Sequence, residues 1–361
     1  MSDLKFIFVH GLSGWGSYEK AYNVMPYWGL RGGDLITFLR SRGFEAYAAS
    51  VSPSGSAWDR ACELYAQLAG LRTDYGTAHS RSCHHERFGR DFSSSPLISD
   101  RIEDSSLVLL GHSFGGTTVR LFSELLAHGD PDEQKSSPHE ELSGFFKGGM
   151  EKCIRSIVTL ASPINGTSAY DLFEDENFDP DLVKVPFWSK GLSKILSMGT
   201  KPKKDGRIDT DYADYDMHID NALKLNKRIS TLPSVYYFSV PCSSTIMTED
   251  GTCMPDMDRT CPLFVMRSCQ IGKYSGITKG GYVIDEKWHQ NDGLVNTFSA
   301  KAPLEAPQTP LDRNNIQPGI WNVFPTYDGD HLSLQGGLLQ KHDIRDFYLD
   351  LLSLIDKTIR S

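Results

Sequence analysis

The chain has 361 residues, enough for one large domain or two medium ones, with 39% apolar and 23% charged residues and no low-complexity tract or internal repeat. A formal net charge of −9 argues against a nucleic-acid partner, whose phosphates would be repelled. No apolar run approaches the roughly 20 residues of a membrane-spanning helix, which excludes a span but not residence at a lipid surface.

"LKFIFV" (4–9) reads as a short buried strand ended by Gly11. "GGDLITFLRSRGF" (32–44) has helical spacing, and "EAYAASV" (45–51) is a second strand. "AWDRACELYAQLAGLR" (57–72) carries Trp58, Ala61, Leu64 and Leu68 on one helical stripe. "SSLVLLGHS" (105–113) is a strand running into a tight turn, and "GGTTVRLFSELLAHG" is the helix that leaves it. "CIRSIVTLASP" (153–163) and "SVYYFSV" (234–240) are further strands, and "DIRDFYLDLLSLIDKTI" (343–359) is a closing helix. This alternation predicts an α/β protein with a mostly parallel central sheet and helices on both faces. One domain is expected over 1–361, with 170–232 as an insertion above the carboxyl edge of the sheet. Its most apolar piece is "DLVKVPFWSKGLSKILSMG", followed by the polar loop "KPKKDGR" (201–207).

"DLKFIFVHG" enters the fold at once and has no signal-peptide pattern, so the reading is an intracellular chain or one whose leader was replaced by Met1. Seven cysteines leave at least one thiol unpaired. Local disulfides among Cys253, Cys261 and Cys269, or buried free thiols, both remain open. Nothing in the sequence indicates the number of subunits.

"VLLGHSFGG" fits G-x-S-x-G between an apolar strand and a helix. The glycines are needed because the turn forces Ser113 into a strained conformation, and side chains at 111 and 115 would strike the neighbouring elements. The hydroxyl then projects at a helix N-terminus, where backbone N–H groups favour developing negative charge. A serine needs a base and an orienting acid, expected later in the chain. His331 in "YDGDHLSL" and Asp292 in "HQNDGLVNT" lie in suitable turns, with His289 and Asp330 as neighbouring rivals. The oxyanion donors expected are the N–H groups of Phe114 and of Leu12 in "HGLSGWG".

Together with those motifs, "YWGLRGGDL", "WDRACELYAQL", "DYGTAH", "RFGR" and the terminal "DIRDFYL" resemble the bacterial family I.5 lipases, the thermoalkalophilic Bacillus/Geobacillus and staphylococcal enzymes. The resemblance implies an α/β-hydrolase fold with a helical lid, and a secreted triacylglycerol lipase acting on acylglycerols at a lipid–water interface. Carried over by motif, Ser113 is the nucleophile, Asp292 the acid, His331 the base, and Leu12 and Phe114 the oxyanion donors of an acyl-enzyme mechanism. The lid is 170–232, with Phe187, Trp188, Leu192, Ile195 and Leu196 facing the site or the lipid. Alternatives are a short-chain esterase or phospholipase, and, in another class, a non-catalytic lipid-binding protein of the same fold.

The chain departs from the family pattern in three places. Gly111 stands where the family commonly has Ala, and Phe114 where it has a polar residue. "LSLQGGLLQK" (332–341) has no acid, so the family's calcium site is expected to be lost. The family also holds zinc with two histidines and two aspartates. In this chain the motifs map them to Asp59, His79, His85 and Asp216, with Asp209, Asp211 and Asp214 close to the last in sequence. Two neutral imidazoles and two carboxylates make a closed, neutral tetrahedral set for a divalent ion, hence a structural metal. Cys83 as a thiolate ligand, or no metal, are the rival readings.

Overall fold

The computed structural model describes residues 4–179, 183, 185, 189–191, 206–337 and 343–360. Among them, seven strands build one sheet: β1 (Leu4–Val9), β2 (Glu45–Ala49), β3 (Ser106–His112), β4 (Ile154–Leu160), β5 (Tyr236–Val240), β6 (Gln308–Pro310) and β7 (Trp321–Val323). Their spatial order is β6-β7-β5-β4-β3-β1-β2, and every pairing is parallel.

The continuous apolar runs of β1 and β3 follow from burial on both faces. Ile7, Val9, Leu107 and Leu109 pack in a core with α2 (Ala57–Ala69) and α4 (Phe114–His128). Leu4, Phe6, Phe8, Val108 and Leu110 pack on the other side with α1 (Leu35–Ser41) and α8 (Arg345–Arg360). Each fully buried side chain of this kind contributes roughly 1.5–3 kcal/mol, so both faces are needed to hold the layers together. Helix α2 starts at the Ser56 cap, whose side chain accepts from the Asp59 N–H, and ends at left-handed Gly70.

The predicted strands and helices appear with shifted ends; the helix predicted over 57–72 stops at 69 because Arg72–Asp74 turns into a small hairpin strand. Strands β6 and β7 were not foreseen. They have three residues each, too few for an alternation, and β6 is an exposed edge strand containing Pro310. Within 170–232, the stretch expected to be an insertion, α6 (Ala213–Met217) and α7 (Ile219–Arg228) are described. The five apolar residues expected to form the lid face (187, 188, 192, 195 and 196) lie outside the described residues. All seven cysteines are buried and free in this structure. None of the described helices is long and apolar enough to cross a membrane.

Topology places the site. Leu12 follows β1, Ser113 follows β3, Asp292 lies between β5 and β6, and His331 follows β7. In a parallel sheet all these loops leave the same carboxyl edge, so four distant segments converge there.

Candidate active site and metal centre

Ser113 sits at φ 55°, ψ −130°, between the last residue of β3 and the first of α4. This strained turn is possible because its neighbours lack side chains. A Cβ on Gly111 would lie 2.3 Å from the Gly115 carbonyl carbon, and one on Gly115 would lie 2.3 Å from the Val9 carbonyl oxygen. The Ser113 N–H donates to Leu160 O at 2.8 Å, pinning the turn to β4.

The Ser113 hydroxyl is 2.8 Å from His331 Nε2, and His331 Nδ1 is 2.9 Å from Asp292 Oδ2. The other Asp292 oxygen accepts from the Leu294 and Val295 N–H groups at 3.0 and 2.8 Å. The His331 N–H donates to Asp292 O at 2.9 Å, so backbone as well as side chain joins the two loops. All three residues are buried. The arrangement offers a hydroxyl, a base within reach of its proton and a carboxylate that orients the base. The rivals take other positions. His289 bonds Ser275 Oγ and Gly251 O, while Asp330 accepts from the Cys261 and Leu332 N–H groups and ties its own turn.

The Leu12 and Phe114 N–H groups donate to no other described residue. The loop between β1 and Leu12 is held by a fully buried guanidinium from α2. Arg60 donates to the carbonyl oxygens of His10, Gly11 and Ser52 and to Thr118 Oγ1. Sequence periodicity had placed Arg60 only as a helical residue beside the apolar stripe, and gave no sign of this role.

A second polar centre lies at the start of α2. Asp59 Oδ1 is 3.2 Å from His79 Nε2 and 3.7 Å from His85 Nε2. Asp211 Oδ1 is 3.3 Å from His79 Nε2, and Asp211 Oδ2 is 3.4 Å from His85 Nε2. Helix α3 (Thr77–Cys83) carries His79, and the buried Glu133 of α5 (Pro131–Ser136) accepts the N–H groups of Ala78 and His79 at the start of α3. Trp58 stacks on the His79 ring at 5.0 Å. His85 Nδ1 donates to Glu86 O at 2.8 Å, which leaves the lone pair on Nε2.

These donors fit a divalent metal. About 2.0–2.2 Å from a tetrahedral ion, ligands stand roughly 3.3–3.6 Å apart, close to the four separations above. His85 Nε2 and Asp211 Oδ2 are also buried without a hydrogen-bond partner, as ligand atoms awaiting an ion would be. Burial lowers the proton affinity of His79, but the hydrogen bonds it donates to the Asp211 and Asp59 carboxylates outweigh this and raise its pKa to about 11. The carboxylates thus create a strong pull for positive charge, part of which Arg207 answers by pairing with Asp59 and, at 3.5 Å, Asp211.

The expected fourth ligand is corrected. Asp211 joins Asp59, His79 and His85 in the cluster, and Asp216 does not. Asp216 lies on α6, where its Oδ2 accepts the Ala57 N–H at 2.7 Å and so caps α2. Asp211 lies just before α6 and is held by the Ser56 hydroxyl at 2.7 Å. Cys83 stands behind the cluster, its sulfur 3.8 Å from His79 Nδ1 rather than among the ligand atoms.

A family model described as a lipase-like C-terminal domain matches residues 3–185 and 202–358. A Staphylococcus epidermidis lipase is 32% identical over 359 residues, covering 91% of this chain and 49% of the relative. Lipase 1 of Staphylococcus aureus is 31% identical over 382 residues, covering 98% and 54%. The chain spans about half the length of these curated relatives. Among solved structures, EstA from Clostridium botulinum matches with a TM-score of 0.83 at 29% identity, covering 99% of this chain and 88% of that one. Staphylococcus hyicus lipase matches with a TM-score of 0.80 at 28% identity, covering 99% and 97%. The fold is therefore that of the α/β-hydrolases, and the chain belongs to the lipase-like C-terminal domain family, with staphylococcal lipases among its relatives.

Proposed function

We propose that the protein is a carboxylic ester hydrolase, a triacylglycerol lipase acting on acylglycerols at the lipid–water interface. The observation that carries this reading is the unbroken hydrogen-bonded line from Ser113 Oγ through His331 to Asp292. His331 Nε2 takes the hydroxyl proton as Ser113 Oγ attacks the ester carbonyl carbon. The carbonyl oxygen becomes an oxyanion held by the Leu12 and Phe114 N–H groups at the positive end of α4. Collapse breaks the bond to the leaving alcohol, which receives the proton from His331, and an acyl-Ser113 ester remains. Water, deprotonated by His331, then releases the fatty acid and restores the hydroxyl. Asp292 stabilises the imidazolium at both stages.

Insertion 170–232 acts as the lid in this reading, and the site of action is outside the cell. Asp59, His79, His85 and Asp211 would hold a structural zinc, which would supply charge neutralisation and a cross-link between α2, α3 and the chain before α6. Four protein donors would serve structure rather than the ester chemistry, which is left to Ser113, His331 and Asp292.

The test is hydrolysis of p-nitrophenyl esters across chain lengths by wild type and Ser113→Ala. Turnover by wild type on long-chain esters, lost in the variant, is expected. Equal inertness of the two proteins would remove the enzyme reading, and a maximum at short chains would replace lipase by esterase.

A further inference from the structure

His112 occupies the unspecified position of G-x-S-x-G, and Tyr27 lies far upstream at the head of "YWGLRGGDL", a stretch with no role read from the sequence. Both are buried, and they meet beside the nucleophile. His112 Nε2 is 2.8 Å from the carbonyl oxygen of His331, and His112 Nδ1 is 2.7 Å from the Tyr27 hydroxyl. The Gly11 N–H donates to that same hydroxyl oxygen at 3.1 Å. Gly11 directly precedes Leu12 and is pressed on the nucleophile, since a Cβ there would be 2.7 Å from Ser113 Cβ.

Only one set of proton positions satisfies this geometry. A carbonyl oxygen accepts and never donates, so His112 Nε2 carries the hydrogen. His112 Nδ1 is then an acceptor, because burial, and secondarily the nearby His331, push its pKa down to about 3 and keep the ring neutral. The Tyr27 hydroxyl must donate to that nitrogen, which frees its oxygen to accept from Gly11. Each donor thus meets an acceptor, from Gly11 N–H through Tyr27 and His112 to the backbone of His331.

We propose that Tyr27 and His112 are positioning residues that clamp the Leu12 loop to the loop bearing His331 through this single directed chain of hydrogen bonds. The proposal rests on the hydrolase reading for its kinetic consequences. The two loops come from opposite ends of the chain, and catalysis needs both: one holds the oxyanion donor, the other the base. Arg60 grips the carbonyl side of the first loop, while Tyr27 grips its N–H side. Removing the Tyr27 hydroxyl leaves Gly11 N–H and His112 Nδ1 buried without partners and lets the two loops move independently.

Tyr27→Phe, His112→Met, His112→Gln and the double variant Tyr27→Phe/His112→Met test the chain on a soluble ester. Tyr27→Phe and His112→Met are expected to lower kcat about ten- to hundredfold, with KM held within about twofold, since small misplacements of catalytic groups act on the transition state. The double variant should be no worse than the poorer single one, because the chain is already cut. His112→Gln retains an amide donor for the His331 carbonyl and an acceptor for Tyr27, and should recover most of the loss. Unchanged kcat in Tyr27→Phe, or fully additive losses, would overturn the proposal. A measurement independent of turnover is 15N NMR of the histidine rings in Ser113→Ala. His112 is expected to remain neutral with hydrogen on Nε2 from pH 5 to 9, and hydrogen on Nδ1 or titration in that range refutes the chain. If wild type matches Ser113→Ala in activity, the hydrolase reading has failed, and the NMR result alone decides the clamp.

Discussion

The two polar centres of this molecule are built in opposite ways. Around Ser113 every side-chain atom of the triad has a partner: the hydroxyl faces Nε2, Nδ1 faces one Asp292 oxygen, and two N–H groups face the other. Around Asp59, His85 Nε2 and Asp211 Oδ2 are buried without hydrogen bonds, although charged groups crowd about them. A satisfied network is preorganised and can move a proton without rebuilding itself. An unsatisfied one holds donors at a spacing that suits a divalent ion, and on the proposed reading it would gain its stability from that ion. On the proposed reading the same residue types serve reactivity in one place and cohesion in the other, and their hydrogen-bond completeness tells the two apart.

The largest expected effect breaks the complete centre. Asp292→Asn should lower kcat by about 10⁴ with little change in melting temperature, because the imidazole loses its correct tautomer while the turn persists. Steady-state kinetics with a calorimetric scan checks both halves.

Next comes the incomplete centre, where stability rather than chemistry should respond. Removing a metal present at about a hundred times its Kd costs about 2.7 kcal/mol, or a fall of about 3–4 °C in Tm for a chain of this length. Chelation followed by scanning calorimetry measures this, and activity below the new transition should persist. Metal analysis sharpens the ligand assignment: Asp211→Asn and His85→Ala should purify without stoichiometric metal, whereas Asp216→Asn should keep it. Retention by Asp211→Asn and loss by Asp216→Asn would reverse the assignment.

The last effect, absent near neutral pH and felt only in acid, concerns stability against pH. His10 and His112 both have pKa values lowered from 6.5 to about 3, chiefly by burial. Between those values the unfolded chain binds more protons than the folded one, so stability is present above about pH 6.5 and is lost as pH falls toward 3. The loss is about 1.4 kcal/mol per pH unit for each ring inside that window. His112→Gln should flatten the acid limb of the stability curve by about one proton, measured by urea unfolding at stepped pH. An unchanged slope would mean that the buried ring takes up its proton without unfolding.

Parts of both centres are legible in the sequence. Ser113 announced itself through glycines at 111 and 115, whose absence of Cβ is a steric requirement that no other residue meets. Asp292 and His331 stood in loop signals in the right chain order. His79 and His85 were readable from their motif register, but Asp211 was not, because four aspartates lie between 209 and 216. Which one reaches the histidines depends on where α6 begins and on the Ser56 hydroxyl that holds Asp211. The roles of Arg60, Tyr27 and His112 gave no signal, since their partners are backbone groups, which have no sequence of their own, or side chains far away along the chain.

The sequence alone determined the parallel layering, through apolar strands alternating with amphipathic helices, and the nucleophile turn, through its glycines. These are local properties, in which neighbours along the chain fix the backbone. Tertiary structure decided the rest: the two short edge strands, the state of the cysteines, the fourth member of the metal cluster and the hydrogen-bonded clamp behind the nucleophile. Each of those depends on atoms brought together from distant segments, where burial makes every unmatched polar group costly and so selects one partner among several of the same kind.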